Sequence, residues 1–235
     1  MGAKSMDTRT RLLRVGALAF LEAPGLDPLR GMTLSDIAER AGVSRSTAYR
    51  HFDSKEAYLA DVSRFLVGDA ALFDTESAHV TRASNQAREL PLLDGLLHVA
   101  TADIEALSLT DVWAAMEAFV VGFLRMRTDL HDVAVDGYVE VDRLTYSWYA
   151  PVLHAAGRLP RRPLTTEDVG VLMQALVEGA GIRETVQAMV FQRPIGTSGP
   201  AGLYAYGVAA LLAAVTRTED DDRNLHQYLE DVFSS

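Results

Sequence analysis

Two arginines, a tyrosine and a serine fall within six residues of one another in the segment Met32–Leu59, MTLSDIAERAGVSRSTAYRHFDSKEAYL. On a helix turning about 100° per residue, Arg45, Tyr49, Ser46 and Arg50 cover one continuous arc of about 140°. Ala48 and Phe52, four apart, fall on a different stripe that suits packing against Ile37 and Ala38. One face is therefore apolar, and the other carries two guanidiniums, a phenol and a hydroxyl. Paired N–H donors of Arg match the O6 and N7 acceptors of guanine, and Tyr adds a flat apolar body with a polar tip. That chemistry is recognition of base edges in a major groove.

Groups suited to phosphate surround this arc. Thr33 stands where a preceding short helix would begin, and Thr47 and His51 flank the arc. Lys55 falls in the first turn of the next helix, where free backbone N–H groups already favour an anion. Arg9 and Arg11, with Lys4 upstream, extend the same footprint.

These side chains need a corner to hold them. Helical spacing predicts a helix from Thr8, with Leu13, Gly16, Ala17 and Phe20 on one side and Asp7 or Thr8 as its N-cap. Ala23-Pro24-Gly25 ends it. A short helix from Leu34 to Ala41 stops at Gly42, which tolerates the left-handed conformation of a tight turn. Val43 plugs the corner, and Ser44 caps a second short helix over Arg45–His51. Asp53 and Glu56 have capping-box spacing for a longer helix reaching about Asp74.

Beyond that point, helices are predicted at 92–107, 110–127, 130–156, 166–192 and 201–217, while the polar stretch 76–91 has no clear assignment. Residues 158–163 and 192–200 read as loops, and Glu219–Asp222 as a solvated linker before a short terminal helix. No stretch sustains a period of two. The expected fold class is all-α: an N-terminal three-helix helix-turn-helix domain over residues 1–53 and a larger helical domain over 54–235, residue 54 beginning the connecting helix.

At 235 residues, with 49% hydrophobic and 23% charged residues, the chain can bury one large core or two modest ones. The net charge of −10 hides an asymmetry. Residues 1–65 hold 10 basic and 8 acidic side chains, and residues 66–235 hold 12 and 24. A slightly basic head on an acidic body suits a local contact with phosphates. Cysteine is absent, the N-terminus lacks a secretory apolar run, and no apolar stretch is long enough to span a bilayer, so a cytoplasmic location and no membrane partner are expected. Met6 is a candidate natural start.

Enzyme signatures are missing: there is no GxSxG, no GxxxxGK[ST] and no HExxH. The histidines at 51, 79, 98, 131, 154 and 226 lack metal-ligand spacing, so neither a metal nor a cofactor is expected. A protein-interaction adaptor that uses the corner for something other than DNA is the alternative reading.

The segment resembles the DNA-binding signature of the tetracycline-repressor (TetR) family. The resemblance is carried by Thr33, Ile37, Ala38, Ala41, Gly42, Val43, Ser44, Thr47, Tyr49, His51, Phe52, Ser54, Lys55 and Glu56, with Phe20 matching the family's phenylalanine in the first helix. It covers roughly residues 8–60. Ser46 departs from it, since many members carry Gly there, and Ala48 is often a larger apolar residue. The resemblance implies a regulator, by family habit a repressor, that binds a near-palindromic double-stranded DNA operator as a homodimer and is released by a small-molecule effector held in the body.

The body offers candidates for both remaining roles. Val169, Leu172 and Leu176 in one helix, and Gly202, Ala205, Ala209 and Ala213 in another, have the spacing for close helix approach in a dimer. Trp113, Met116, Phe119 and Phe123, with Tyr138 and Tyr146, suit a largely apolar or aromatic effector. Glu117, His98, Glu178 and Arg183 are its candidate polar anchors.

Overall fold

The computed structural model describes residues 7–22, 31–68, 74–107, 109, 115, 131–195 and 202–234. Its elements are α1 (Thr8–Glu22), α2 (Leu34–Arg40), α3 (Arg45–His51), α4 (Lys55–Gly68), α5 (Asp74–Ala87), α6 (Leu92–Ala106), α7 (His131–Ala155), β1 (Arg158–Pro160), α8 (Thr166–Val186), α9 (Leu203–Val215), β2 (Thr216–Thr218) and α10 (Leu225–Ser234). Among the described residues the fold is all-α apart from one short antiparallel ladder between β1 and β2 and an isolated bridge between Pro194 and Gly202. The expected helix at 110–127 lies outside the described residues. Two compact units emerge, residues 1–73 with 111–139 and residues 74–110 with 140–235.

In the first unit, Asp7 caps α1 by accepting the N–H groups of Arg9 and Thr10. Leu12, Leu13, Ala17 and Phe20 form its buried stripe, and Tyr58, Val62, Phe65 and Leu66 are the buried stripe of α4. Tyr58 donates to the Leu12 carbonyl at 2.9 Å, and its hydroxyl lies so close to Gly16 that only a residue without Cβ fits there. Burial pushes the Tyr58 hydroxyl well above its usual range. The cap of α4 is Ser54, whose hydroxyl accepts the N–H of Ala57 at 3.1 Å, rather than the expected Asp53. The helix starts one residue later than the Asp53–Glu56 spacing suggests.

In the second unit, α5 and α6 run antiparallel, with Gln86 beside His98 and His79 beside Glu105. The sequence left α5 unassigned because its inward stripe is Glu76, Val80, Ala83, Ser84 and Ala87, mostly small or polar. Thr165 and Asp168 form a capping box that starts α8. That helix ends at Val186, short of the expected 192, and α9 gives way to β2 at Thr216. The stretch expected to be a loop at 158–163 instead begins with β1, paired Arg158↔Thr218, Leu159↔Arg217 and Pro160↔Thr216.

Arg161, 1% exposed, explains that ladder. Its guanidinium donates to the carbonyls of Ala214, Thr216 and Arg223 and to Asp221, and lies 4.2 Å from the Tyr228 ring centroid. Asp221 is held far below the usual carboxylate range by hydrogen bonds from Arg223 and Arg161. The acidic run is thus partly a counterion to a buried cation.

A second buried polar group is Asp103. It accepts from the hydroxyls of Tyr149 at 2.6 Å and Tyr204 at 2.8 Å, joining α6, α7 and α9. Burial pushes its carboxyl up to about 6, and the two tyrosine hydrogen bonds offset part of that rise.

Two outcomes follow. A folded carboxyl titrating near 6 against about 3.9 unfolded means the folded chain binds the extra proton in that window. Its contribution to stability is therefore fully present below about pH 4 and lost as pH rises through 6, on the order of 3 kcal/mol in all. In urea titrations, Asp103→Asn relative to wild type gains stability progressively from pH 4.5 to 7.5; a constant offset would refute this. Gly16→Ala places a methyl against Tyr58 and 2.8 Å from Val62 Cγ2. It should destabilise the first unit by about 1–3 kcal/mol, read from the same titrations.

Candidate nucleic-acid interface

Two helices of seven residues each build the corner. The Thr33 hydroxyl accepts the Asp36 N–H at 3.2 Å, while the Asp36 carboxylate receives the Thr33 N–H at 2.6 Å and its hydroxyl at 2.8 Å. Those bonds hold the Asp36 carboxyl below its usual range. Thr33, expected on phosphate, is thus engaged as a helix cap. At the other end of α2, Gly42 adopts φ +64°, and the Val43 N–H returns to the Ala38 carbonyl at 2.9 Å. The left-handed residue reverses the chain within the span of a turn, as its position in the sequence predicts.

Ser44 caps α3 by accepting the Thr47 N–H at 3.1 Å. Leu34, Ile37, Ala38, Ala48 and Phe52 are all buried, so α2 and α3 pack through one apolar side. Ser44, Arg45, Ser46, Arg50 and His51 are exposed, Tyr49 is 43% exposed, and Thr47 and Lys55 are half-buried. The four residues of the expected arc therefore share an open face.

That face is internally ordered. The Arg45 guanidinium lies 5.4 Å from the Tyr49 ring centroid. Arg50 Nη2 donates to Thr47 Oγ1 at 3.2 Å. Ser44 Oγ lies 2.7 Å from Thr47 Oγ1 and 2.9 Å from Ser46 Oγ. His51 stands with its ring centroid 6.3 Å from that of Phe52. Arg9, itself exposed, pairs with Asp61 at 2.8 Å, its guanidinium 5.8 Å from the Phe52 ring centroid.

The effector candidates are less coherent. Trp113, Met116, Glu117, Phe119 and Phe123 lie outside the described residues. His98 is exposed beside Gln86, and Tyr138 and Tyr146 are half-buried, Tyr146 with its hydroxyl pushed up by burial. Glu178 accepts from Gln174 at 3.0 Å and Arg183 donates to Gln187 at 3.1 Å. A crevice of about 110 Å³ lined by residues including Thr101, Glu105, Met189 and Gln192 contains none of the four candidates of the second unit. Sequence reasoning also passed over Asp103, whose signal was a lone acid on the apolar stripe of α6.

The dimer candidates divide. Val169, Gly202, Ala205 and Ala209 are buried within the protomer and serve its own core, so they are corrected from interface to interior. Leu176 is half-buried, while Leu172 and Ala213 are exposed. The outward stripe of α8 is Val171, Leu172, Ala175, Gly179, Ile182 and Val186, and that of α9 is Gly207, Ala210 and Ala213. Nothing lies within 4 Å of where a Cβ would stand at Gly179 or Gly207.

Among the described residues no helix is long and apolar enough to cross a membrane. Residues 26–62 match the family described as bacterial regulatory proteins, tetR family. The HTH-type transcriptional repressor KstR2 of Rhodococcus jostii (strain RHA1) is 39% identical over 61 residues, which cover 26% of this chain and 28% of that protein. The match thus spans little more than a quarter of the relative's length. A TetR-family transcriptional regulator from Mesorhizobium loti MAFF303099 superposes with a TM-score of 0.58 at 18% identity, covering 90% of this chain and 98% of its own. Another from Rhodococcus sp. gives 0.55 at 19%, covering 87% and 98%. Likeness at such identities speaks to fold. The capped corner and its left-handed Gly42 lie within residues 26–62, the stretch that is similar to the tetR family of bacterial regulatory proteins.

Proposed function

We propose that this protein regulates transcription by binding a near-palindromic operator as a homodimer, with repression the favoured sign. The observation that carries the reading is the exposed face of α3, where Arg45, Ser46, Tyr49 and Arg50 stand clear of a corner whose apolar side is fully buried. Such a helix enters a major groove with its N-terminal residues at the base edges. The 61-residue likeness to a protein named as a transcriptional repressor supports the sign.

A single seven-residue helix reads few bases, and a two-fold pair of them about 34–36 Å apart reads two half-sites. The outward apolar stripes of α8 and α9 support dimerisation, because contiguous exposed apolar surface of that kind marks an interaction site. A small, largely apolar or aromatic effector held in the larger helical domain is part of this reading, on the composition of that domain's sequence. A ligand preferring one arrangement of the body would shift the population of the DNA-binding form, with couplings of about 1–3 kcal/mol.

Selection of bound duplexes from a random library, followed by sequencing, tests the reading. The wild type should enrich a two-fold site, and Arg45→Ala should weaken binding to it about 10- to 100-fold. Sequence-independent, salt-sensitive binding alone would reject it in favour of the adaptor. For the dimer, Ala175→Glu and Ala210→Glu place charges at exposed positions. Light scattering should then report one copy where the wild type shows two, with loss of site-specific binding. A two-copy mass in both variants would exclude these faces.

A further inference from the structure

We infer that Ser46 is a specificity-determining residue of the DNA-binding face, its hydroxyl donating to a hydrogen-bond acceptor on a base edge and so selecting against cytosine at that position. This rests on the operator-binding reading above and concerns which base the face prefers.

The argument is a count of protons. Ser44 Oγ accepts the backbone N–H of Thr47 and contacts two further hydroxyls, those of Thr47 at 2.7 Å and Ser46 at 2.9 Å. A hydroxyl has one proton and two lone pairs. With one lone pair taken by the N–H, Ser44 must accept from one of those neighbours and donate to the other.

The guanidinium of Arg50 decides the direction. It donates to Thr47 Oγ1 at 3.2 Å, and an oxygen that accepts from a cation becomes a better donor on its far side. The Thr47 proton therefore points away from Arg50, to Ser44. Ser44 passes its own proton to Ser46. The relay runs in one sense throughout, so that each bond polarises the next. The opposite sense would make Thr47 accept twice and leave its own proton beside the cation.

What remains at Ser46 is its proton and one lone pair, and an oxygen that already accepts from Ser44 donates more strongly than it accepts a second time. This side chain is exposed, between Tyr49 and Arg50 on the open arc, whereas Thr47 is half-buried. The face thus ends in a polarised O–H donor. In a major groove, guanine offers N7 and O6, adenine N7 and thymine O4, while cytosine presents its N4 amino donor. A glycine at this position would leave the spot without a donor.

The test repeats the library selection with Ser46→Ala, Ser46→Gly and Thr47→Val, each first checked for an unchanged thermal unfolding midpoint. In the wild-type profile one position per half-site should be depleted of cytosine. Ser46→Ala and Ser46→Gly should abolish that depletion there and at no other position, with affinity for the wild-type site falling about 3- to 10-fold, the worth of one net hydrogen bond. Thr47→Val, which severs the relay but keeps Ser46, should relax the same position part of the way. An unchanged profile in the Ser46 variants overturns the inference while leaving operator binding intact. So does uniform weakening across all sequences with a shallower salt dependence, which would place Ser46 on phosphate. A wild type that enriches no sequence removes both.

Discussion

A seven-residue helix does not hold together in water, because the cost of nucleating it is never repaid by its few internal hydrogen bonds. Both helices of the corner have that length, so the open face of α3 exists only through what is buried behind it. Phe52 is the centre of that support: its ring meets Tyr58 edge-on at 5.0 Å, and Arg9 covers it while pairing with Asp61. Tyr58 in turn lies against Gly16 of α1. The apolar demand of α3 is met by Ala48 and the capping Phe52, which leaves Arg45, Ser46, Tyr49, Arg50 and His51 exposed. An open polar face on one side and packing on the other are two results of the same spacing.

The second unit is governed by polar groups in its interior. Arg161 gathers three carbonyls and a carboxylate around a buried guanidinium, and in doing so holds the β1–β2 ladder and the start of α10 together. Asp103 ties three helices through two tyrosines, and Thr145 donates to Gln174 between α7 and α8 at 2.9 Å. Buried polar groups are costly when unpaired, so each such set admits few alternative registers. The helices are thereby placed more specifically than by apolar contact alone.

α8 shows where amphipathic reasoning loses its grip. Val169, Met173, Val177 and Ala180 face the core, while Val171, Ala175, Gly179, Ile182 and Val186 face outward. A helix apolar on both sides offers no contrast from which to tell inside from outside, and the same holds for the alanine-rich α9. The sequence reading therefore mixed inner-face residues such as Val169, Ala205 and Ala209 with outward ones such as Leu172 and Ala213 as interface positions. Only the packing of the protomer separates surface it has already buried from surface still open.

The head was legible because its decisive interactions are local. The Ser44–Thr47 cap, the Gly42 turn and the inward pair Ala48 and Phe52 each span six residues or fewer, so residue type and spacing were enough to foresee them; the Thr33–Asp36 capping box is as local, but Thr33 was expected on phosphate. The choice of Ser54 over Asp53 was a miss by one position. In the body the deciding contacts join residues 46 to 101 positions apart: Tyr149 and Tyr204 to Asp103, Arg161 to Asp221 and to the Ala214 and Thr216 carbonyls. No periodicity encodes such pairings. They arise when desolvation obliges a buried charge to take whatever partners the chain brings to it, and that is settled only once the helices have packed.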